Sequence, residues 1–206
     1  MNVNIKEYCI DYFNRMKYYV LLSSVIFVAF LLLSYFYPSF FNSLMNQALQ
    51  NMRDGVTNGE ILLETTSLFI NNFTVALNIY TSGIYLSIPS LYLLVYNAAM
   101  IGYTGTTLPL NYFLAYTLPH GIFELTAIVL SGAASFRLTH GILNVFAGLK
   151  PDADDKKKYF LENLEVSLKM ILDSAALMLI VLILLIVAAF IEANITVGIG
   201  QILTMR

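Results

Sequence analysis

The stretch Pro119-His120-Gly121-Ile122-Phe123-Glu124, followed directly by the apolar residues 125–138, decides how the rest of the chain is interpreted. It places a histidine and a carboxylate four residues apart, on one side of a helix, within a segment apolar enough to lie in lipid. A charged side chain at the centre of a bilayer costs about 2.5 to 3.5 kcal/mol on insertion scales. Glu124 is therefore expected to have a partner elsewhere in the chain.

Composition places the chain among the membrane proteins. It has 206 residues, of which 58% are hydrophobic and 12% are charged, a balance typical of integral membrane proteins. We predict a single integral membrane domain over residues 1–206, with the lipid bilayer as its first partner. The formal net charge of −2 argues against a nucleic-acid partner. Cys9 is the only cysteine, so no internal disulfide can form.

Apolar segments predict an all-α polytopic membrane protein with five transmembrane helices. The predicted spans are residues 18–37, 67–86, 90–107, 119–140 and 170–191, each close to the length of about 20 residues that crosses a bilayer. Ser87-Ile88-Pro89 is a predicted turn, and Pro119 is placed in the first turn of the fourth span, where its missing N–H is tolerated. Residues 108–118 form either an interfacial connector or a sixth, re-entrant segment.

Polar segments separate the spans. Residues 38–66 are a predicted exposed loop with two short amphipathic helices. Residues 141–169 are a predicted cytoplasmic loop, irregular over residues 151–158 and an amphipathic helix from Tyr159 onward. Residues 2–17 alternate apolar and charged side chains at helical spacing, and form either an amphipathic helix along the membrane surface or a cytosolic extension of the first span.

Basic residues predict the orientation. With five spans and the N-terminus inside, nine of the eleven Lys and Arg residues fall on the cytoplasmic side, and Arg53 and Arg206 fall outside. Cytoplasmic loops carry the excess of Lys and Arg in membrane proteins. We therefore predict a multi-pass protein of the cell membrane with a cytoplasmic N-terminus and an external C-terminus.

Span directions then predict two polar groups at different depths. A polar intramembrane site in the outer layer consists of His120, Glu124, Glu192, Asn71, Asn72 and Asn97. Arg137 and Asp173 fall together in the cytoplasmic layer, where they are predicted to pair. Arg137 lies about 20 Å deeper than Glu124 along the same helix and on roughly the opposite face, so it is excluded as the partner of Glu124.

The face of the fourth span below Glu124 carries small residues. They are Ala127, Ser131, Ala134 and Ser135. Small residues let helices approach closely in lipid, so this face is predicted to be a contact between helices.

Three functional hypotheses compete. In the first, the intramembrane site binds a metal ion, a proton or a small solute, as in a transporter or channel, with His120, Glu124 and Glu192 as ligands of a divalent metal. A histidine and a carboxylate at positions i and i+4 lie about 40° apart around a helix, so both can face one ion. The alternative interpretation of the same residues is a purely structural hydrogen-bond cluster that holds the spans in register.

The second hypothesis is a non-enzymatic scaffold whose exposed or cytoplasmic loop binds partner proteins. The third, an intramembrane enzyme, has little support. No GxSxG, HExxH, P-loop or CxxC pattern occurs in the chain, so we expect no enzymatic activity.

Three pieces of the chain resemble a known family. They are Pro119-His120-Gly121-x-x-Glu124 with Ala127, Gly132-Ala133-Ala134 and Arg137-Leu138; Asn71-Asn72 with Ala76-Leu77 and Gly83; and Ala188-Ala189-Phe190-Ile191-Glu192-Ala193. Together they are similar to the stage II sporulation protein M family of integral membrane proteins over about residues 15–200. The chain departs from the family pattern at Tyr96-Asn97-Ala98, where Asn-Gly is expected, and at Thr126, where proline is common.

The resemblance implies a membrane protein without fixing its role. In endospore formers the family's namesake is a scaffold that recruits cell-wall-degrading partners during engulfment, while relatives in species without spores have no assigned role. Membrane or cell-envelope proteins, or further copies of the chain in a homo-oligomer, are therefore candidate partners.

Overall fold

The computed structural model describes residues 5–59, 64–149 and 155–204. The helices are α1 (Ile5–Phe36), α2 (Pro38–Thr57), α3 (Thr65–Thr81), α4 (Ile88–Thr107), α5 (Leu110–Ala147), α6 (Lys156–Ile191) and α7 (Val197–Thr204). A 3₁₀ turn, Ser82–Tyr85, follows α3, and a π-helical turn, Glu192–Thr196, follows α6. The described residues contain no strand, so the predicted all-α class is confirmed.

Three helices in the described part of the chain are long and apolar enough to cross a membrane: α1, α5, and α6 with the π-helical turn that continues it. They correspond to the first, fourth and fifth predicted spans. Helix α3 has only 17 residues, which is about 26 Å at the rise of an α-helix, less than the roughly 30 Å of a hydrocarbon core. Helix α4, the third predicted span, has 20 residues but is not among the three apolar helices, so the second and third spans both stay predictions.

The predicted start of the fourth span at Pro119 is wrong. Helix α5 begins at Leu110, with Pro109 as its N-cap residue, and continues through Pro119 to Ala147. Residues 110–118 are therefore helical and continuous with the fourth predicted span, so a separate re-entrant segment is wrong, and their position at the interface stays a prediction. A proline inside a helix removes one backbone hydrogen bond and costs about 3 kcal/mol. Packing offsets this loss, since α7 lies against this part of α5, with Gly200 next to the ring of Tyr116.

The predicted loop 141–169 is also shorter than expected. Helix α5 extends to Ala147 and α6 begins at Lys156, where Asp155 caps it by accepting a hydrogen bond from the Lys158 N–H. The side-chain amide of Asn144 bonds to Ser167 Oγ at 3.0 Å, which ties the two helices together beyond the predicted spans. Residues 150–154, which hold half of the predicted irregular part 151–158, lie outside the described residues. Residues 156–158, also predicted to be irregular, are instead the first turn of α6.

Two of the amphipathic predictions are resolved by the structure. Helix α1 runs without a break from Ile5, so the N-terminal segment is an extension of the first span, and a separate surface helix is wrong. Residues 38–57 form the single helix α2 instead of two short ones, and its Met45 and Leu49 pack against Tyr103 of α4. Asn2, residues 60–63 and Arg206 lie outside the described residues.

The core lies where α5 meets α1, α3, α4 and α6. The small residues of the predicted contact face are all buried, which confirms that face: Ala127, Ser131, Ala134 and Ser135. Serines of α1 add hydrogen bonds to neighbouring backbones, from Ser23 Oγ to the Val129 carbonyl and from Ser34 Oγ to the Ala99 carbonyl, each 2.7 Å. In lipid, such small and polar contacts replace the hydrophobic driving force of a soluble core.

Candidate metal centre

Three ionisable side chains converge at one end of the bundle, and we call them the His/Glu site: His120, Glu124 and Glu192. His120 and Glu124 lie on successive turns of α5, and Glu192 is the first residue of the π-helical turn after α6. One ligand atom from each residue lies within 4.8 Å of the other two. His120 Nε2 and Glu124 Oε2 are 3.9 Å apart.

These separations fit a cation after a small closure of the side chains. Nitrogen and oxygen ligands about 2 Å from Zn²⁺ stand about 3.3 Å apart in a tetrahedron. The 3.9 Å between His120 and Glu124 exceeds this spacing by about 0.6 Å, and the limit of 4.8 Å on all three separations exceeds it by about 1.5 Å, so the side chains would have to close on a bound ion. All three residues are partly buried, so the protein shields them from bulk solvent.

The His/Glu site opens into a cavity of about 420 Å³ bounded mainly by α3, α4 and α5. All six residues of the predicted intramembrane site line this cavity, the three asparagines together with the three ionisable residues. Thr104 and Thr117 add hydroxyl groups, and the remaining lining is largely apolar. A few converging polar groups on apolar walls are typical of a site for a small ligand.

The three asparagines differ in what they can offer. Asn97 donates its amide to the Leu93 carbonyl at 2.7 Å, which does not use its own side-chain oxygen. Asn71 donates to the side-chain oxygen of Asn72 at 3.4 Å, and Asn71 is exposed. Asn71 and Asn97 both act as donors in these contacts, so neither contact uses the side-chain oxygen that a cation would need.

Thr196 is a neighbour of the site that the sequence prediction missed. It is the last residue of the π-helical turn and only 5% exposed, and its Oγ1 lies 3.2 Å from His120 Nδ1. The segment after Glu192 reads as an ordinary apolar tail, and a threonine within it is no signal by itself. The wider turn brings Thr196 Oγ1 to 3.2 Å from the Ile191 carbonyl, five residues earlier. π-helical turns of this kind are frequent at functional sites.

A second polar group, which we call the Arg/Asp cluster, consists of Arg15, Arg137 and Asp173. Arg137 donates from one terminal nitrogen to Asp173 Oδ2 at 2.9 Å, and both side chains are buried. Arg137 therefore pairs with Asp173 and not with Glu124, in the arrangement that the span directions predict. The prediction did not include Arg15, which holds the same carboxylate with two bonds of 2.8 and 2.9 Å.

Tyrosines surround the Arg/Asp cluster. The Tyr19 hydroxyl accepts a hydrogen bond from Arg137 at 3.2 Å and also contacts His140 Nδ1. Tyr12 donates to the backbone carbonyl of Asp173 at 3.0 Å. Through these contacts the Arg/Asp cluster joins α1, α5 and α6, which gives it a structural role.

Comparison with known proteins agrees with the motifs. A family model described as Stage II sporulation protein M matches residues 20–197, most of the chain and both polar ends of α5. The chain belongs to the stage II sporulation protein M family. The resemblance seen in the motifs around Glu124 and Glu192 is thereby confirmed.

This member of the stage II sporulation protein M family is similar to two uncharacterized proteins of Methanocaldococcus jannaschii. One is 28% identical over 198 residues, covering 92% of this chain and 86% of the relative. The other is 30% identical over 135 residues, covering 63% of this chain and 69% of the relative. No solved structure matches the chain.

Proposed function

We propose that this stage II sporulation protein M family member binds a divalent transition-metal cation at His120, Glu124 and Glu192. The observation that carries the proposal is the convergence of one imidazole and two carboxylates within 4.8 Å, facing a largely apolar cavity. A nitrogen ligand with two carboxylates suits Zn²⁺, Co²⁺, Fe²⁺ and Mn²⁺, whereas Ca²⁺ and Mg²⁺ favour oxygen-only sites.

The charge balance of the His/Glu site supports a cation over a purely structural cluster. Two carboxylates in a poorly hydrated cavity repel each other, and each carries a desolvation cost. The His120 to Glu124 separation of 3.9 Å exceeds hydrogen-bond length, so this pair is not a satisfied hydrogen bond. A divalent ion between the ligands compensates both negative charges at once.

The proposed setting is a five-span membrane protein with its N-terminus in the cytoplasm and the His/Glu site at the level of the outer leaflet. The positions of the basic residues in the sequence support this orientation. A cation site at membrane level suits a carrier or channel. The proposed role is non-enzymatic, since the described residues that line the cavity include no Ser, Cys or Lys nucleophile beside His120 and Glu124.

Metal binding by purified protein in nanodiscs tests the proposal. Isothermal titration with Zn²⁺ and Mn²⁺ should give one site per chain, and E124Q or E192Q should weaken it by more than the roughly 10- to 100-fold typical of losing an outer-shell partner. Glu165→Gln is the matched control, since Glu165 is an exposed acid on α6. Wild-type protein without a bound metal, together with variants that fold normally, would contradict the proposal.

A scaffold is the second candidate function, favoured by the outward face of α2. Phe40 is 88% exposed and Leu44 is 50% exposed, while Met45 on the other face is fully buried. Such an apolar face is able to bind a partner protein or another copy of the chain. Cross-linking in native membranes and Zn²⁺ flux into proteoliposomes separate the two functions. A stable partner without any flux would favour the scaffold.

A further inference from the structure

The hydroxyl of Thr196 has two neighbours with different hydrogen-bonding abilities. Its Oγ1 lies 3.2 Å from the Ile191 carbonyl and 3.2 Å from His120 Nδ1. The carbonyl can only accept a hydrogen bond, and a threonine hydroxyl has a single hydrogen to donate. Both contacts are satisfied together when Thr196 donates to Ile191 and accepts from a protonated Nδ1 of His120.

This arrangement determines which nitrogen of His120 faces the carboxylates. A neutral imidazole with its hydrogen on Nδ1 has the lone pair on Nε2. That is the atom 3.9 Å from Glu124 Oε2. With Glu124 ionised, this lone pair faces a carboxylate oxygen, and a cation between the two atoms would attract both.

We propose that Thr196 is a positioning residue for the metal centre: it holds His120 in the form that carries hydrogen on Nδ1 and binds the cation through Nε2. The inference rests on the proposed function and adds the ligand atom, Nε2 of His120, and the residue that orients it. Metal-binding histidines commonly donate their second ring N–H to a fixed acceptor, which orients the ring.

The π-helical turn thereby contributes two residues to the proposed metal centre. Its first residue, Glu192, supplies a ligand, and its last residue, Thr196, orients the histidine on α5. Both depend on the same five residues, so binding of a cation is coupled to the conformation of this turn. Unwinding the turn would remove a ligand and the orientation of another at once.

Affinity measurements on threonine variants test this role. In nanodiscs, T196V should bind Co²⁺ about 10- to 100-fold more weakly than wild type, the usual effect of losing an outer-shell partner. T196S, which keeps the hydroxyl, should restore binding to near the wild-type value. The matched control is T74V on α3, because Thr74 donates to a backbone carbonyl of its own helix, at 2.7 Å, and is exposed.

The bound nitrogen can be identified directly, since the chain has only two histidines. In ¹⁵N-histidine-labelled protein loaded with ¹¹³Cd²⁺, the cadmium coupling should appear on Nε2 of His120, while Nδ1 keeps its hydrogen. The variant H140Q assigns the signals. In the metal-free protein, T196V should reduce the population of the tautomer that carries hydrogen on Nδ1 relative to wild type, a change that a merely structural threonine would not cause.

The outcomes separate this inference from the proposed function. Wild-type protein that binds neither Co²⁺ nor Cd²⁺ overturns both. Wild-type binding with an unchanged T196V, an equal loss in T196S and T196V, or cadmium coupling on Nδ1 overturns only the role of Thr196. Size-exclusion profiles identify a misfolded T196V, in which case T196A takes its place.

Discussion

The His/Glu site and the Arg/Asp cluster, near opposite ends of α5, differ in how their charges are balanced. The His/Glu site brings two carboxylates to a cavity where His120 is 3.9 Å from Glu124, too far for a hydrogen bond. In the Arg/Asp cluster, Arg15 and Arg137 each contact the Asp173 carboxylate directly. For the first group we propose a bound cation, whereas the second already contains its counter-charges.

At the residue scale, replacing Asp173 by asparagine should destabilise the protein. The change leaves the guanidinium groups of Arg15 and Arg137 without the carboxylate that both contact. Breaking a buried ion pair by removing one partner costs about 3 to 5 kcal/mol. Thermal unfolding in detergent should show a clearly lower melting temperature. The control is E165Q on the same helix, and equal melting temperatures for both variants would contradict a structural role for the Arg/Asp cluster.

At the scale of elements, α5 is the helix on which the molecule is assembled. It carries His120 and Glu124 near one end and Arg137 near the other, about 20 Å apart along the helix. Pro119 has no N–H to donate to the carbonyl of Ala115, so the backbone is locally weakened just before His120. Contacts with α7 and the π-helical turn therefore stabilise the part of α5 that bears the site.

The approach of α1 and α4 gives an element-scale prediction. A Cβ on Gly102 of α4 would clash with the Leu31 backbone carbonyl of α1, whereas a Cβ on Gly198 would meet nothing within 4 Å. G102A should therefore force the helices apart and lower stability by about 1 to 3 kcal/mol, as overpacking of a close contact does. G198A should leave the melting temperature near the wild-type value. A stable G102A would contradict the close packing of α1 and α4.

At the scale of the whole molecule, the two polar groups mark opposite ends of the helical bundle. The proposed orientation places the Arg/Asp cluster, with the N-terminal part of α1, on the cytoplasmic side and the His/Glu site toward the outside. Asn58, directly after α2, then lies on the same side as the His/Glu site.

The single cysteine makes this topology testable. Cys9 is exposed on α1, so a membrane-impermeant maleimide should label it only after intact cells are permeabilised. In a C9S background, a cysteine placed at the exposed position of Asn58 should react in intact cells. Labelling of Cys9 from outside would reverse the orientation. Labelling of both positions from the same side would contradict a membrane-spanning α1.

Much of the architecture follows from one-dimensional properties of the chain. Apolar length indicates α1, α5 and α6 as spans, and the rise of a helix separates Arg137 from Glu124 by depth. The same reasoning places Glu192 and Asn71 at the same depth as His120, near one end of the fourth predicted span. Helix ends were predicted less well. Proline normally marks the start of a helix, but α5 continues through Pro119, where α7 packs against it.

The sequence by itself determined the membrane class, the family and six of the residues that line the cavity, because hydropathy, helical rise and motif spacing are all properties of the linear chain. Only the tertiary structure decided that Arg15 shares Asp173 with Arg137, and that the π-helical turn brings Thr196 to His120. Arg15 lies 158 residues from Asp173, and Thr196 lies 76 residues from His120. Contacts at such separations depend on how helices pack, and no local pattern of residues encodes them.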